Sequence, residues 1–147
     1  MKARELMTSN PECVTRDESL QRAAQIMRDL DVGFVPVVDD HTSMRLTGVI
    51  TDRDIAVRAV ADGRSDGRVA DCMTSGSLRT VSPDDSDNDV MRAMRDAQVR
   101  RIPVVEEGNR LVGIIAQADI ATEGLSDRKV GQTVEEISEP GRPRGRS

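Results

Sequence analysis

The chain has 147 residues, a formal net charge of −5 and one aromatic side chain, Phe34. Its 21 basic and 26 acidic residues are well mixed, which argues against a nucleic-acid polymer as a partner, and single-stranded nucleic acid would lack aromatic surfaces to stack on. Because no apolar stretch approaches the length of a membrane span and no signal peptide is recognisable, we expect a cytoplasmic protein without a membrane partner.

An internal repeat organises the sequence. The motif Met7-Thr8-Ser9 returns as Met73-Thr74-Ser75, and Gly48-Val49-Ile50 returns as Gly113-Ile114-Ile115. The repeat covers about residues 2–58 and 68–123, which is most of the chain. Two similar halves of this size predict two equivalent clefts.

The repeat also predicts the domain boundaries. We place a first repeat at 1–62, a linker at 63–67, a second repeat at 68–125 and a polar tail at 126–147. The end of the tail is rich in Gly, Pro and Arg, and we expect it to be disordered. Within the tail, Val130, Val134 and Ile137 fit one docked helical turn.

Each repeat predicts the same order of elements. The first has a lead-in at 2–7, an extended segment at 14–15, a helix at 19–30, a hairpin with strands at 34–38 and 46–50, and a helix at 52–61. The second has its lead-in at 68–73, its extended segment at 81–82, a long helix, strands at 101–105 and 111–115, and a helix at 117–123. Such a unit cannot bury both faces of a three-stranded sheet alone. We therefore expect two units packed by their sheets about a pseudo-twofold axis, in an α/β fold of the α+β type.

The long helices carry an apolar stripe. In the first copy the stripe consists of Leu20, Ala23, Ala24, Met27 and Leu30, with Ser19 as the cap. In the second copy it consists of Val90, Met91, Met94 and Ala97. Asp87 stands where the first copy has Leu20, so we expect the second helix to start later or to pack less well there.

The prolines of the two hairpins predict where pairing fails. Pro36 and Pro103 lack the N–H that a ladder hydrogen bond needs. We expect their strands to be edges or to be interrupted at these positions, which would leave backbone groups free for a ligand.

Polar residues cluster where the return strand of the first repeat meets its last helix. Thr51 and Asp54 have the spacing of a capping box, a purely structural device. The second copy has Ala116 in place of the threonine yet keeps Asp119, which suggests that the carboxylate has a function besides capping. A carboxylate at such a corner is also suited to accept hydrogen bonds from the diol of a ribose. Arg53 could neutralise a phosphate held there.

Arg100 and Arg101 precede a strand of the second repeat. They are either a solvated pair or cations that reach a phosphate at the corner of the first repeat.

The sequence predicts no catalytic set and no metal site. It contains no nucleophile and base at recognisable spacing and no P-loop. His41, Cys13 and Cys72 are too dispersed to suggest zinc. Neither cysteine has a setting that predicts reactivity, and Cys72 aligns with Leu6, an apolar position.

The repeated pattern resembles the CBS domain (the cystathionine β-synthase domain). The pattern is a lead-in ending in Met-Thr, a helix, a hydrophobic-Pro-hydrophobic strand and the motif Gly-hydrophobic-hydrophobic-Thr-x-x-Asp. Two tandem copies resemble a Bateman module, as in small stand-alone bacterial proteins with one CBS pair. The resemblance implies β-α-β-β-α units, a homodimer of modules, and adenosine ligands: AMP, ADP or ATP first, with S-adenosylmethionine or NAD less favoured. It implies no required cofactor.

The resemblance also implies residue roles in the first repeat. Asp54 would hold the ribose hydroxyls and Thr51 the phosphate. The backbone of Val35 and Pro36 would face the adenine, with Thr15 nearby. Arg53 and Arg101 would supply the phosphate cations, and Arg100 is a candidate by its position next to Arg101.

The second repeat departs from the family pattern. Ala116 lacks the hydroxyl, and Gln117-Ala118 lacks the cation. Asp119, Ile102 and Pro103, with Ser82 on the extended segment, would form a weaker or empty site.

Two hypotheses follow for the function. The first is a non-enzymatic sensor of adenine nucleotides that changes its packing, or the activity of a partner, when the cleft fills. The alternative is a structural or stress-related dimeric interaction protein with vestigial clefts that bind no ligand. An enzyme or a DNA-associated regulator is disfavoured by the missing catalytic set and the acidic balance.

Overall fold

The computed structural model describes residues 1–76 and 78–122 of the chain. The polar tail predicted at 126–147, with its docked turn at Val130, Val134 and Ile137 and its disordered end, lies outside the described residues. Within the described part, no helix is both long and apolar enough to cross a bilayer.

The described residues form a mixed α/β structure with six α-helices and six strands. The helices are α1 (Ala3–Leu6), α2 (Leu20–Leu30), α3 (Asp52–Arg58), α4 (Val69–Cys72), α5 (Asp87–Ala97) and α6 (Gln117–Thr122). The strands are β1 (Thr8–Ser9), β2 (Val14–Thr15), β3 (Phe34–Val38), β4 (Leu46–Thr51), β5 (Arg101–Glu106) and β6 (Arg110–Ala116). They form two three-stranded sheets, in the orders β1-β6-β5 and β2-β3-β4. The predicted order of elements is confirmed in both repeats.

The chain divides into two compact units. Unit 1 contains Met1–Pro11, Arg79–Glu107 and the described residues from Leu111 onward. Unit 2 contains Glu12–Leu78 and Gly108–Arg110. The units therefore cross the sequence repeats, because each lead-in belongs to the unit that holds the helices and hairpin of the other repeat.

Backbone pairing of the lead-ins explains this exchange. In unit 1, Thr8 of β1 lies opposite Ile114 of β6 in antiparallel register. In unit 2, Thr74 forms the equivalent bridge to Val49 of β4, with two hydrogen bonds of 2.8 and 2.9 Å. Each lead-in thus covers the free edge of the other repeat's return strand, an edge that would otherwise expose unpaired backbone groups.

The motif glycines accommodate these lead-ins. A Cβ atom added to Gly48 would clash with the side chain of Met73 and lie 2.5 Å from the carbonyl oxygen of Thr74. A Cβ added to Gly113 would clash with the side chain of Met7. Gly48 therefore accommodates a close approach of backbone, whereas Gly113 accommodates the side chain of Met7.

Pro36 lies in a central strand, since β3 lies between β2 and β4. The edge position expected for this proline is therefore wrong, but the interruption is present. Pro36 is opposite Val49, whose N–H and C=O both bond to Thr74 and not to β3. On its other side β3 is paired by β2 only at Val37 and Val38, so no ladder bond is required at the proline nitrogen.

The two long helices bury a slightly different face from the predicted stripe. In α2, Leu20, Ala23 and Met27 are buried as expected, but Ile26 is buried where Ala24 and Leu30 are exposed. In α5 the predicted residues Val90, Met91 and Met94 are buried as expected, together with Ala93. In α2, burial at positions i, i+3, i+6 and i+7 rotates the face relative to a stripe that includes i+4.

The second long helix does not start late. It begins at Asp87, with Ser86 as the cap accepting a hydrogen bond from the N–H of Asp89. Asp87 donates its own N–H to the carbonyl of Met1 at 2.8 Å, and its carboxylate lies in the first turn, where the helix dipole favours negative charge. An acidic residue at this position, where the first repeat has Leu20, is thus compatible with a helix of the same length as α2.

Candidate functional site

The corner between β4 and α3 is built as a capping box. The hydroxyl of Thr51 accepts a hydrogen bond from the N–H of Asp54 at 3.0 Å, and the carboxylate Oδ2 of Asp54 accepts one from the N–H of Thr51 at 3.0 Å. The side chain of Asp54 is only 13% exposed. Thr51 and Asp54 therefore cap the start of α3. The cap uses one carboxylate oxygen of Asp54 and one acceptor position of the Thr51 hydroxyl.

Arg58 is a member of this corner that the sequence analysis missed. Its Nε lies 3.9 Å from Oδ1 of Asp54, four residues earlier on the same helix. Its guanidinium also donates to the carbonyl oxygens of Cys72 and Met73, each at 3.3 Å. The i, i+4 spacing of an acidic and a basic residue was the available signal. Arg58 therefore connects Asp54 with the end of α4.

The register of β3 places Val35 and Pro36 beside the corner. Thr51 lies opposite Phe34, and the N–H of Asp52 donates to the carbonyl of Gly33 at 2.9 Å. Val35 and Pro36 are both buried. Thr51, Asp54, Val35 and Pro36 are therefore neighbours within unit 2.

Thr15 lies at the other end of the same strand. It pairs with Val38, four residues along β3 from Phe34, a displacement of about 13 Å. Its N–H donates to the carboxylate of Glu18 at 2.6 Å. Thr15 belongs to the same sheet as the corner without being adjacent to it.

The three predicted cations are distributed over both units. Arg53 is exposed on the first turn of α3, in unit 2. Arg100 and Arg101 belong to unit 1, at the start of β5, and both are half-buried. The carbonyl of Arg100 accepts a hydrogen bond from the N–H of Gln117 at 2.8 Å.

The corner of the second repeat keeps half of the capping box. The carboxylate of Asp119 accepts a hydrogen bond from the N–H of Ala116 at 2.8 Å. Ile102 and Pro103 are buried in unit 1, whereas Ser82 is exposed. All four residues predicted for the weaker site lie in unit 1.

The same carboxylate arrangement recurs at three positions in each repeat. A carboxylate accepts the backbone N–H of the residue three positions earlier at 2.6 to 3.0 Å in six pairs: Lys2–Glu5, Thr15–Glu18, Thr51–Asp54, Arg68–Asp71, Ser82–Asp85 and Ala116–Asp119. The backbone bond explains the presence of Asp119 without any ligand. Its persistence beside Ala116 is therefore weaker support for a nucleoside site than the sequence pattern indicates.

The family follows from the comparison with known proteins. The profile of the CBS domain matches residues 3–60 and 69–126, which are the two repeats. The chain belongs to the CBS domain family. The resemblance on the repeated motifs, and the fold class of a CBS pair, are thereby confirmed.

Similar proteins are themselves small CBS-pair proteins. Hypoxic response protein 1 of Mycobacterium tuberculosis is 37% identical over 139 residues, which is 94% of each chain. The crystal structure of Hypoxic Response Protein I with two coordinated zinc ions has a TM-score of 0.75 at 35% identity, covering 85% of this chain and all of that one. The CBS domain pair of protein MJ0100, solved with 5′-methylthioadenosine and S-adenosyl-L-methionine, has a TM-score of 0.71 at 27% identity, covering 84% and 94%.

Unit 2 of this CBS pair also contains an open groove of about 420 Å³. Its lining is largely apolar and comes from α2 and from the segment that follows Ile55, with Leu20, Val60 and Arg64 among its members. The lining includes none of the predicted nucleotide-binding residues. The groove is therefore a separate feature from the Asp54 corner.

Both cysteines are buried. Burial raises the pKa of the Cys72 thiol, which fills the apolar position predicted for it in the core of unit 2. Burial also raises the pKa of Cys13 to about 11, and the carboxylates of Glu18 and Glu12 add to the increase. Neither thiol is activated as a nucleophile. Among the described residues, no three His, Cys, Asp or Glu side chains are grouped as metal ligands.

Proposed function

We propose that this CBS pair is a non-catalytic sensor of adenosine-containing ligands, with AMP, ADP or ATP favoured, and that Asp54 holds the ribose. The hydrogen bonding of the corner between β4 and α3 supports this proposal. Its capping box uses only Oδ2 of Asp54, so Oδ1 can accept a ribose hydroxyl without loss of the helix cap. A carboxylate has about four acceptor positions in all.

The residues around Asp54 supply the other contacts of the proposal. The Thr51 hydroxyl accepts a hydrogen bond from the backbone and still has its own proton to donate to a phosphate oxygen. Arg53 is exposed on the adjacent turn and adds a cation. The solved complex of MJ0100, which contains two adenosine compounds, supports this ligand class.

The regulatory step is proposed to be a shift in conformation. A ligand changes an equilibrium only by its differential affinity for the two states. Filling the corner would bring a ligand hydroxyl to Asp54 in competition with Arg58, which also contacts the carbonyls that end α4. A change in the position of Arg58 would then alter its hydrogen bonds to Cys72 and Met73, in the lead-in of the second repeat.

Calorimetric titration with AMP, ADP, ATP, S-adenosylmethionine and 5′-methylthioadenosine tests the ligand. The informative variant is Asp54→Asn, because asparagine can still accept the N–H of Thr51. Losing a charged hydrogen bond should weaken binding roughly tenfold to a hundredfold. Asp119→Asn is the matched control and should bind as the wild type does. Equal binding by wild type and Asp54→Asn would reject the site.

The second candidate is a structural or stress-related interaction protein with vestigial clefts. One observation favours it: the backbone bonds at Asp54 and Asp119 account for both carboxylates. This candidate predicts no change in melting temperature with any adenylate at millimolar concentration. A reproducible shift that Asp54→Asn reduces would exclude it.

A further inference from the structure

Four side chains of unit 2 converge outside the corner. The Sγ of Cys13 lies 3.8 Å from Nδ1 of His41 and 3.8 Å from Sδ of Met44. On the opposite side of the imidazole ring, Nε2 of His41 lies 3.0 Å from the carboxylate of Glu18. The sulfur atom of Cys13 is thus flanked by one nitrogen atom and by a second sulfur atom.

We propose that Cys13, His41 and Met44 form a binding site for one monovalent copper ion, with Glu18 as the positioning residue for the histidine.

The distances suit three ligands around one ion. Bonds of about 2.3 Å to sulfur and about 2.0 Å to nitrogen separate neighbouring ligands by about 3.5 to 4.0 Å in tetrahedral or trigonal geometry. Both separations from Cys13 Sγ are within this range. Cys13 is therefore spaced from His41 and from Met44 as two ligands of one ion are.

Glu18 fixes the tautomer that a ligand histidine needs. An ionised carboxylate can only accept hydrogen bonds, so the 3.0 Å contact places a proton on Nε2 of His41. In the neutral imidazole this leaves the lone pair on Nδ1, the atom 3.8 Å from Cys13 Sγ. The same carboxylate oxygen accepts the N–H of Thr15 at 2.6 Å, which holds it in place. A carboxylate behind the histidine is the usual outer partner of a metal-bound imidazole.

The turn that carries two of the ligands is held by its own hydrogen bonds. Asp39 accepts bonds from the N–H of Asp40, the hydroxyl of Ser43 and the N–H of Arg45, at 2.5 to 3.0 Å. Asp40 accepts the N–H of Ser43 at 2.6 Å. Met44 itself adopts a left-handed conformation with φ of 56°, which is uncommon for a residue other than glycine. His41 and Met44 are thus presented by a constrained turn above Cys13.

The ligand set identifies the ion. On binding, Cys13 would release its thiol proton to solvent and ligate as the thiolate. A thiolate together with a thioether is a soft donor set that favours Cu(I), whereas the protein ligands of Zn(II) are thiolates, imidazoles and carboxylates. Met44 is therefore the residue that distinguishes copper from zinc. Cys13 is 8% exposed and the side chain of His41 is 56% exposed, so the sulfur is shielded while the ion can enter past the histidine.

This site could not be predicted from sequence spacing. His41 lies 28 residues from Cys13 and Met44 lies 31 residues from it, and no metal motif has such spacing. The sequence-based expectation of no metal site is replaced by this proposal.

The test is an anaerobic competition for Cu(I) between the full chain and a coloured chelator, bathocuproine disulfonate. The wild type should withdraw one equivalent of copper. Cys13→Ser and His41→Gln should lose that equivalent, and Glu18→Gln should lower the affinity about tenfold to a hundredfold. Cys72→Ala, which removes the other buried thiol, is the matched control and should withdraw one equivalent.

Two further measurements keep the proposal falsifiable if Cys13→Ser fails to fold. His41 is exposed on a turn, so His41→Gln should retain the wild-type circular dichroism spectrum while losing the metal. X-ray absorption should find two sulfur ligands and one nitrogen ligand in the wild type, and one sulfur ligand in Met44→Leu. The proposal is overturned if the wild type leaves all copper with the chelator, if His41→Gln and Cys13→Ser compete as well as the wild type, or if Zn(II) binds and Cu(I) does not.

Discussion

Oδ2 of Asp54 accepts the backbone N–H of Thr51 at 3.0 Å, and Oδ1 of the same carboxylate lies 3.9 Å from Nε of Arg58. One oxygen therefore stabilises the helix end, while the other faces a cation beyond hydrogen-bond distance. This division allows the structural and the ligand-binding functions of Asp54 to be separated by substitution.

Asp54→Ala should lower the free energy of unfolding by about 1 kcal/mol, because it removes half of a capping box. Asp54→Asn should cost less, since its amide oxygen can accept the N–H of Thr51. Urea denaturation followed by circular dichroism measures both. If the two variants are equally stable, the hydrogen bond to Thr51 contributes nothing and the cap is misassigned.

Ala116→Thr should stabilise the chain by about 1 kcal/mol, because it adds the missing cap to a helix that already has the carboxylate of Asp119. Thr51→Ala, the reverse change at the equivalent position, should destabilise by a similar amount. Both are measured by urea denaturation under the same conditions. A loss of stability in Ala116→Thr would mean that the second corner has no space for the hydroxyl.

Gly48→Ala should destabilise by about 1 to 3 kcal/mol, since the added methyl group would meet the backbone of Thr74 and the side chain of Met73. Ser75→Ala, an exposed substitution next to Thr74, is the control and should change stability by less than about 0.5 kcal/mol. Thermal unfolding distinguishes the two. A neutral Gly48→Ala would contradict the close approach of the lead-in.

The contribution of Asp84 to stability should disappear in acid. The hydrogen-bonded guanidinium of Arg4 lowers the pKa of Asp84 below its usual 3.8. A group with a lowered folded pKa stabilises the protein above its unfolded pKa, and this contribution is lost as the pH falls through the folded pKa. Asp84→Asn should therefore be less stable than the wild type at pH 6, and the difference should shrink as the pH falls below 3.8 and through the lowered pKa of Asp84 in the folded state.

Urea midpoints at several pH values measure the effect of Asp84, which should be small because the pair is exposed. Arg4→Gln is the mirror control and should remove the same pH dependence. A difference between Asp84→Asn and the wild type that stays constant from pH 6 into acid would show that the ion pair is not its cause.

The homodimer implied by the family resemblance should depend on exposed apolar side chains of unit 2. Leu30, Val57 and Val60 are 53%, 51% and 65% exposed, and exposed apolar surface of this kind is typical of interaction sites. Val57→Glu should shift the sedimentation equilibrium toward monomer. Thr42→Glu, an exposed substitution in the β3–β4 turn, is the control. A wild type that sediments as a monomer, or a dimer that Val57→Glu leaves intact, would contradict this prediction.

The periodic and repeated features of the sequence were sufficient to predict the elements. The hairpin strands and α2 lie within one or two residues of their expected bounds, because alternation, helical spacing and the cap at Ser19 are local signals. Of the two alternatives expected for α5, a later start or poorer packing, the later start is wrong, because the hydrogen bond from Asp87 to Met1 is a tertiary contact. A comparison of the repeats could not reveal it.

The candidate sites also show that contacts between residues distant in sequence could not be predicted. Thr51 and Asp54 are three residues apart, the spacing of a capping box, so their pairing could be predicted as one of two alternatives. The convergence of Cys13, His41 and Met44 depends on how the β3–β4 turn folds over the end of β2, and no sequence spacing encodes it. Comparison of the two repeats does not indicate the Cys13 site either, because Cys13 aligns with Thr80.

The pairing of β1 with β6 has a consequence for biosynthesis. During translation the segment carrying Thr8 leaves the ribosome early, yet its sheet neighbour Ile114 is among the last described residues to be made. Contacts of such long sequence separation form slowly, since a large loop must close first. The Thr74 bridge to Val49 closes a much shorter loop, so unit 2 should become protease-resistant on the nascent chain well before unit 1.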